Sequence, residues 1–441
     1  MSKIGFVSVC HKDYISDLAN NKALEAVDAL ILNNVDVRQI MDSIVDHQGA
    51  LRSSLELLNQ DIDGVIIFLG SWVECSVVMT VVRELEHLPI CLWGFPMFMK
   101  NGKMESTGSY VSYAMFKGTM DRVGYKYKGV LGLPDHSPVI KEVLSFCSAA
   151  KCRKLLIRTR IGLVGYASMS IYPGTFDHVF MRAKIGPEIV QMDSFTVIKR
   201  AEKIKDEETE DVVKYLTGVA RIRDNVRNID LTKVSKLYLS LKGICNDLDL
   251  QAMNVKCQPE FSKEYGMVMC VPLSILAENG VTSSCEGDML STVSMLILSY
   301  LSGAIVTYGD AIHHDDEGVL FSSCGFVPYS LGESGKREIR KFLPHPGFHG
   351  IQNSFVLIKG KVTIIRLIED KCNYHILLIT GNGLDTDLRQ GYMPALKVKL
   401  DGRIENLVKN YAGQHFAICY GDYSKQIVDL GNLLGINVIT I

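Results

Sequence analysis

The chain has 441 residues, of which 47% are hydrophobic and 22% charged, and its formal net charge is -2. This length exceeds one ordinary hydrophobic core, so two or three domains are expected. The near-neutral charge lacks the basic surface with which nucleic-acid-binding proteins contact phosphates, so we expect no nucleic-acid partner. The twelve cysteines are scattered and form no CxxC pair, which favours reduced, buried thiols of a cytoplasmic protein over a zinc ribbon.

The first 155 residues alternate between apolar strand patterns and helical patterns. Strands are predicted at residues 3–9, 35–40, 64–70 and 89–94, with helices between them at 23–32, 49–60 and 74–86. This order is typical of βαβ units around a parallel sheet. We therefore predict a doubly wound domain over residues 1–155, with ligands beyond the carboxyl ends of its strands.

A second α/β domain is predicted over residues 156–316. It begins with the strand IGLVGY (161–166) and continues with helices at 194–215 and 229–248 and a strand at 252–257. No GxGxxG fingerprint occurs, so no nucleotide cofactor is expected. The uncharged segment 289–309 is rich in Ser, Thr and Tyr and is closely bracketed by acids. It is predicted as a buried helix followed by a buried strand rather than as a membrane span.

The pattern changes again from about residue 317. Residues 355–358 and 362–368 flank Lys359-Gly360 as the strands of a β-hairpin would, and 374–380 is a further strand pattern. We predict a small antiparallel β-barrel-like domain over 317–441, whose last residues return to helix and strand and pack on the α/β part. The predicted fold class is thus α/β, with two doubly wound parallel-sheet domains followed by this β-rich domain.

Two acids beside a glycine, Glu286 and Asp288, stand in the segment CEGD (285–288) before the apolar helix. An acid at this position can also be a simple helix cap with no part in catalysis. Asp310 ends the next predicted strand, AIVTYGD (304–310). If the helix leads directly into a parallel strand, the acid before the helix and the acid after the strand lie on the same side of the sheet. Glu286 and Asp310 can then converge on one metal ion.

The sequence leaves the third metal ligand open among five histidines, namely His313, His314, His345, His349 and His415. Neighbouring side chains on a strand point to opposite faces, which disfavours joint binding by His313 and His314. Two carboxylates and one imidazole favour Mn²⁺, with Mg²⁺ or Co²⁺ as alternatives.

Four stretches of the chain follow a known family pattern: CVPLSILAENGVTSSCEGDMLSTVSMLILSYLSG (270–303), SSCGFVPYSLG (322–332), LPHPGFHGIQNSFVLIKGKVTIIRL (343–367) and GQHFAICYGDYSKQIVDLGNLLGINV (413–438). A weaker match covers 160–186, and GSWVEC (70–75) adds to it. On these stretches the chain resembles the L-fucose isomerase and L-arabinose isomerase family, especially its shorter fucose-isomerase-like members.

The resemblance implies that Glu286, Asp310 and His415 bind the metal and that the two acids also transfer protons. It implies an intramolecular oxidoreductase that interconverts an aldose and a ketose, a 6-deoxyhexose or a pentose, through an ene-diol intermediate. It also implies a homo-oligomer, a trimer or hexamer, in which Trp72 of one subunit helps to close its neighbour's site.

The chain departs from the family pattern in VKCQPEF (255–261), where family members often carry a tryptophan at the position of Gln258. We expect Gln258 and His349 to take part in binding the sugar. Two other functions remain compatible with the sequence. One is a sugar-binding or regulatory relative without turnover, because a fold alone does not establish activity. The other is a metal-dependent lyase or aldolase, which also needs an ion to stabilise an enolate.

Overall fold

The computed structural model describes residues 1–371 and 373–441. They divide into two compact units. Unit 1 consists of Met1–Leu155 and Lys425–Ile436, and unit 2 consists of Leu156–Ser424 and Asn437–Ile441. The first predicted domain, residues 1–155, ends where the first segment of unit 1 ends. The boundary predicted between residues 316 and 317 falls inside unit 2.

Unit 1 is built on a parallel sheet of five strands in the order β2-β1-β3-β4-β7. Its elements up to residue 158 are β1 (Ser2–Val9), α1 (Asp17–Leu32), β2 (Val35–Gln39), α2 (His47–Leu58), β3 (Gly64–Leu69), α3 (Cys75–Glu84), β4 (Ile90–Gly94), β5 (Phe98–Lys100), β6 (Lys103–Glu105), α4 (Ser109–Val123), β7 (Lys128–Leu131) and α5 (Ser137–Arg158). Strands β5 and β6 form a separate small hairpin.

Both faces of this sheet are covered, which explains the continuous apolar runs of its strands. Val7 and Ile67 belong to a core with residues of α2 and α3, whereas Phe6 and Phe68 belong to a second core with residues of α1 and α5. The predicted parallel α/β architecture of this region is confirmed.

Unit 2 begins with a second parallel sheet of four strands in the order β12-β11-β8-β9. The elements of this part are β8 (Arg160–Val164), α6 (His178–Lys184), β9 (Glu188–Met192), α7 (Ser194–Lys203), α8 (Glu210–Val219), β10 (Arg221–Ile222), α9 (Asn228–Leu248), β11 (Ala252–Val255), α10 (Cys270–Glu278), β12 (Thr282–Cys285) and α11 (Met289–Ser302). The predicted buried helix after residue 288 is therefore present. Among the described residues, no helix has the length and apolar character needed to cross a bilayer.

The rest of unit 2 is rich in antiparallel strands, as the sequence indicated. Its elements, together with the last helix of the chain, are β13 (Thr307–Asp315), β14 (Gly318–Ser322), β15 (Glu338–Lys341), β16 (Ile351–Asn353), β17 (Lys361–Asp370), β18 (Asn373–Leu384), β19 (Ala395–Leu400), α12 (Ile404–Lys409), β20 (His415–Tyr420), α13 (Ser424–Leu434) and β21 (Asn437–Thr440). Seven strands pair in the order β17-β20-β13-β14-β19-β18-β21, and β17 also pairs with β18. Strands β10, β15 and β16 form a small sheet of their own.

One side of the seven-stranded sheet forms a third apolar core. Val362 and Ile364 of β17 and Phe416 and Ile418 of β20 belong to it. Because successive side chains of a strand point to opposite faces, His415 lies on the other side of β20.

Two sequence predictions about this region are wrong. Strand β13 is antiparallel to both β14 and β20, so Asp310 does not end a parallel strand, and residues 307–315 share a sheet with strands of the predicted third domain. Buried parallel strands and buried antiparallel strands can both have a short continuous apolar sequence, so hydrophobic periodicity does not tell the two apart. The hairpin predicted across Lys359-Gly360 is instead formed by β17 and β18, and residues 355–358 contribute only an isolated bridge at Leu357.

Candidate active site

Residues 285–288 make a tight turn between β12 and α11. Glu286 and Gly287 both have left-handed backbone conformations, with φ of 71° and 73°. A Cβ atom at position 287 would lie 2.1 Å from the carbonyl oxygen of Tyr166, so glycine is required there. The left-handed region costs a residue other than glycine about 1–3 kcal/mol and is concentrated at functional sites. Glu286 is therefore held in a strained position by its surroundings.

The buried side chain of Asn254 at the end of β11 holds this turn. Its Nδ2 donates to Ser284 Oγ and Thr292 Oγ1, both at 2.9 Å, and its Oδ1 accepts the Gly287 N–H at 2.8 Å. These bonds join β11, β12, the turn and α11, so Asn254 fixes the position of the backbone at Glu286. Asn254 was not predicted from the sequence, although an asparagine in the fully buried strand AMNV is a signal of a buried hydrogen-bonding role.

Asp310 and His415 are brought together by strand pairing. They are direct partners in the antiparallel ladder of β13 and β20, and paired residues project from the same face of a sheet. His415 Nε2 lies 3.3 Å from Asp310 Oδ1 and 3.2 Å from Glu286 Oε2. The side chain of His415 is 1% exposed, and those of Glu286 and Asp310 are 15% and 27% exposed. We call these three residues the acid–imidazole cluster.

The Nε2 atom of His415 is buried and has no aligned hydrogen-bond partner among the described residues, despite its short distances to the two carboxylates. Such an orphaned nitrogen facing two carboxylate oxygens has the donor chemistry of a Mn²⁺ or Mg²⁺ site. Neighbouring ligands of an ion with bonds near 2.1 Å are about 3 Å apart, close to the distances seen here. Among residues 1–371 and 373–441, however, no group of three or more His, Cys, Asp and Glu side chains could hold a metal ion in the side-chain positions that the structure shows. The residues fit a divalent ion by donor type and spacing, and metal binding remains a prediction.

The other imidazole nitrogen of His415 faces Asp288. Burial alone would raise the pKa of Asp288, but the charge of Arg366 and the contact with His415 outweigh it and lower this pKa to about 2. Burial alone would lower the pKa of His415, but its contacts with Asp288 and Glu286 outweigh burial and raise this pKa to about 10. These contacts thus favour the protonated imidazole, and a divalent ion bound at Nε2 would displace the proton of that nitrogen.

Asp310 has the opposite shift. Burial raises its pKa, the charge of His415 lowers it, and the charges of Glu286 and Asp288 raise it, with a result of about 6. A carboxyl group whose pKa lies near neutrality can both accept and donate a proton at physiological pH. Asp310 is therefore suited to proton transfer.

Aromatic and thiol side chains close the cluster on its buried side. The ring of Tyr308 meets that of His415 edge to face at 5.3 Å, and the Tyr308 hydroxyl is 2.7 Å from Cys285 Sγ. Burial, together with the charges of Glu286 and Asp310, raises the pKa of the Cys324 thiol. These thiols are therefore neutral lining groups, and the carboxylates remain the anionic donors.

The other histidine candidates lie elsewhere. His313 and His314 are exposed on β13, beyond Asp310. His345 Nε2 is 4.0 Å from Cys324 Sγ, and His349 is exposed in the same loop, where its carbonyl oxygen accepts the Val268 N–H at 2.9 Å. Only His415 of the five candidates contacts both predicted acids.

The other two predicted sugar-binding residues have well-defined surroundings. Gln258 is 6% exposed, its Oε1 accepts the Ser262 hydroxyl, and its carbonyl oxygen accepts the Ser168 hydroxyl at 3.1 Å. Because Ser168 N–H also donates to the Glu286 carbonyl oxygen at 2.9 Å, Gln258 is connected to the cluster through the backbone rather than by a free amide. Trp72 belongs to unit 1, where its ring packs against His11 at 5.3 Å.

Two further charged residues behind the cluster were not assigned from sequence. Asp288 was considered only as a helix-capping acid, and its Oδ1 does accept the Ser291 N–H at the start of α11 at 2.9 Å. Its Oδ2 additionally contacts His415 Nδ1 at 2.9 Å and Arg366 Nη1 at 3.0 Å. An arginine within the apolar strand KVTIIRLIED was the signal for Arg366.

No protein-family model matches the chain. Curated relatives do: the sulfoquinovose isomerase of Priestia aryabhattai is 24% identical over 434 residues, which cover 96% of this chain and 94% of the relative. The sulfoquinovose isomerase of Alkalicoccus urumqiensis is 24% identical over 374 residues, covering 80% and 81%. The chain is an aldose–ketose isomerase. This confirms the enzyme class predicted from sequence, and the sugar it acts on is a separate question.

Solved structures add little. A galactofuranose binding protein covers 69% of this chain and 90% of its own, at 10% identity and a TM-score of 0.19. An arabinose binding protein from Geobacillus stearothermophilus covers 68% and 85%, at 11% identity and a TM-score of 0.18.

Proposed function

We propose that the chain is a metal-dependent isomerase in which Glu286, Asp310 and His415 hold Mn²⁺, with Mg²⁺ or Co²⁺ as alternatives, and in which the two acids transfer protons. The observation that carries this proposal is the orphaned His415 Nε2 facing two carboxylate oxygens at 3.2 and 3.3 Å. A bound divalent ion would act as a Lewis acid toward the oxygens of an open-chain sugar. The resemblance to L-fucose and L-arabinose isomerases supports the same assignment of ligands.

The two carboxylates suit proton transfer between adjacent carbons. In the forward direction, one carboxylate removes the proton from the carbon next to the carbonyl group, the other, in its acid form, gives a proton to the carbonyl carbon, and the neighbouring hydroxyl proton passes to the former carbonyl oxygen. Proton exchange with solvent then resets the two carboxyl groups. In the reverse direction the roles exchange, so each group must be able to hold and release a proton. The pKa of Asp310 near 6 meets this requirement. Each positioned acid–base group typically contributes about 10²- to 10⁴-fold to the rate.

We infer that sulfoquinovose, the sugar in the names of the curated relatives, is the first substrate to test. It is a hexose that carries a sulfonate at C6 in place of the hydroxyl group. The resemblance supports L-fucose, other 6-deoxyhexoses and L-arabinose as alternatives. A cytoplasmic trimer or hexamer, with Trp72 closing a neighbouring site, remains part of the proposal.

The decisive experiment follows ketose formation by NMR from each of these sugars, with Mn²⁺ present, in deuterated water. An isomerase incorporates deuterium next to the carbonyl carbon and leaves every carbon–carbon bond intact. Carbon–carbon cleavage would instead establish a lyase or aldolase, and a chain that converts none of the sugars and binds no Mn²⁺ would favour a binding protein.

We expect Glu286→Gln to abolish ketose formation, because the amide can neither accept the substrate proton nor contribute a charge to the ion. Glu278→Gln is the matched control, since Glu278 accepts hydrogen bonds from the Ser330 N–H at 2.8 Å and the Ser330 hydroxyl at 2.9 Å, away from the cluster. This control should retain wild-type turnover. Full isomerase activity in the Glu286→Gln variant would refute the assignment.

A further inference from the structure

Asp288 lies two residues beyond Glu286 but has no part in the proton transfer or metal binding described above. Its side chain is 1% exposed. A single oxygen, Oδ2, contacts His415 Nδ1 at 2.9 Å and Arg366 Nη1 at 3.0 Å. The other oxygen caps α11 through the Ser291 N–H. Capping of α11 uses only Oδ1, so it does not explain why Oδ2 contacts both His415 and Arg366.

The contact with Nδ1 determines what the opposite side of the imidazole can do. A carboxylate accepts a hydrogen bond and donates none, so it keeps the proton of a neutral imidazole on Nδ1. The lone pair then lies on Nε2, the atom that faces Glu286 and Asp310. The same contact also fixes the rotation of the ring.

Arg366 holds both Asp288 and His415 in place by hydrogen bonds. Its guanidinium is fully buried and donates from Nη1 to the His415 carbonyl oxygen at 2.7 Å, from Nη2 to the Pro173 carbonyl oxygen at 2.9 Å and from Nε to the Ala412 carbonyl oxygen at 3.2 Å. The backbone and, through Asp288, the side chain of His415 are thus connected to one rigid group. A buried ion pair is a weak source of stability unless its remaining hydrogen bonds are satisfied. In the Arg366–Asp288 pair the remaining donors of Arg366 bind backbone carbonyl oxygens, one of which belongs to His415.

Two glycines leave the room that this arrangement needs. A Cβ atom on Gly174 would lie 2.8 Å from the Asp288 carboxyl carbon, and a Cβ atom on Gly413 would overlap the Arg366 guanidinium.

We propose that Asp288 is a positioning residue that, held by Arg366, orients His415 so that Nε2 is the nitrogen presented to the metal. This inference rests on the proposed function, because it assigns a purpose to His415 Nε2. It predicts that Asp288 affects how tightly the ion is bound without contacting either ion or sugar.

The test is the Mn²⁺ affinity of purified Asp288→Asn, measured by calorimetric titration. The asparagine oxygen can still cap α11, but the NH₂ group placed toward Nδ1 would donate to it and move the proton of the neutral ring to Nε2. Loss of such an orienting partner weakens metal binding by about 10- to 100-fold, and we expect a loss in this range. We expect the KM for the sugar, measured at saturating Mn²⁺, to change less than kcat, because Asp288 does not contact the substrate.

Asp230→Asn is the matched control. Asp230 is also a buried acid near a helix N-terminus, 5% exposed, and accepts from Lys341 Nζ at 2.7 Å. Its loss should reduce stability and leave the Mn²⁺ affinity unchanged, which separates positioning from a general loss of stability.

A folded Asp288→Asn variant that binds Mn²⁺ within about threefold of wild type would overturn the positioning role alone. A wild-type chain that binds no Mn²⁺ would overturn the metal-dependent function and this inference with it. If Asp288→Asn does not fold, Arg366→Lys decides by the same titration, because lysine keeps the charge but loses the fixed donors to Pro173 and Ala412. Weaker Mn²⁺ binding in that variant supports the role, and unchanged binding overturns it.

Discussion

Glu286 has a backbone conformation that glycine adopts far more readily than glutamate. The strain is maintained by the Asn254 hydrogen bonds and by Gly287, which passes directly against the backbone of Tyr166. The segment CEGD was singled out in the sequence for its acids and glycine, and in the structure it brings Glu286 close to His415. The sequence does not distinguish the roles of the two acids. Their spacing does not reveal that Asp288 caps α11 and contacts His415 Nδ1, whereas Glu286 faces His415 Nε2.

We expect Gly287→Ala to disrupt the turn. The added Cβ would lie 2.1 Å from the Tyr166 carbonyl oxygen, so the backbone must move, and both stability and ketose formation should fall. Denaturant unfolding should show a loss of more than about 1 kcal/mol, the scale of left-handed strain alone.

Gly280→Ala is the control for this prediction. Gly280 also has a left-handed conformation, with φ of 85°, but nothing lies within 4 Å of an added Cβ. It should show only the cost of the backbone conformation and retain activity. Equal effects of the two substitutions would contradict the role of close packing at position 287.

Helix α9 shows how single elements of unit 2 are joined. Asp230 in its first turn accepts the Arg227 N–H at 2.9 Å and Lys341 Nζ of β15 at 2.7 Å. Burial alone would raise the pKa of Asp230, but the bonds from Lys341 and Arg227 outweigh burial and lower it. The sequence predicted this helix well, but its partner β15 is distant in the chain and has no local signal.

Asp230→Asn should lower the free energy of unfolding at neutral pH by about 1–3 kcal/mol, the scale of a hydrogen bond to a charged group. Because the folded-state pKa of Asp230 is depressed, the charge stabilises the fold above the unfolded pKa of about 4 and loses this effect as the pH falls through the folded pKa. Denaturant titrations should therefore show the two proteins converging in acid. The Asp316→Asn variant, at an exposed position, should keep wild-type stability at neutral pH. A stability difference for Asp230→Asn that does not shrink in acid would contradict the ionic contribution.

At the scale of the whole molecule, the chain end belongs to both units. Residues Lys425–Ile436 of α13 and the loop after it are part of unit 1, whereas β21 pairs with β18 in unit 2. In unit 1, Asp429 accepts from Lys128 Nζ at 2.8 Å and from the Ser145 hydroxyl at 2.7 Å. The sequence predicted that the last residues form a helix and a strand that pack on the α/β part; α13 belongs to unit 1, whereas β21 joins the seven-stranded sheet of unit 2.

Asp429→Asn should destabilise unit 1, because Asp429 is 3% exposed and its loss leaves Lys128 with one carboxylate partner fewer. We expect a loss of about 1–3 kcal/mol. Hydrogen exchange should speed up in α5 and α13, which contain Ser145 and Asp429. Glu405→Gln, at an exposed position on α12 of unit 2, is the control and should leave exchange unchanged. Unaltered exchange in α5 and α13 of Asp429→Asn would contradict the bracing role of Asp429.

The sequence by itself determined the parallel α/β organisation, the β-rich region after it and the enzyme class. Hydrophobic periodicity and motif order are local properties, and they survive in a single sequence. Only the tertiary structure decided that Asp310 and His415 are partners on antiparallel strands, and that Asp288 and Arg366 stand behind the histidine. Pairing between strands distant in sequence depends on how whole segments pack, and the apolar pattern of a strand does not specify which strand will pair with it.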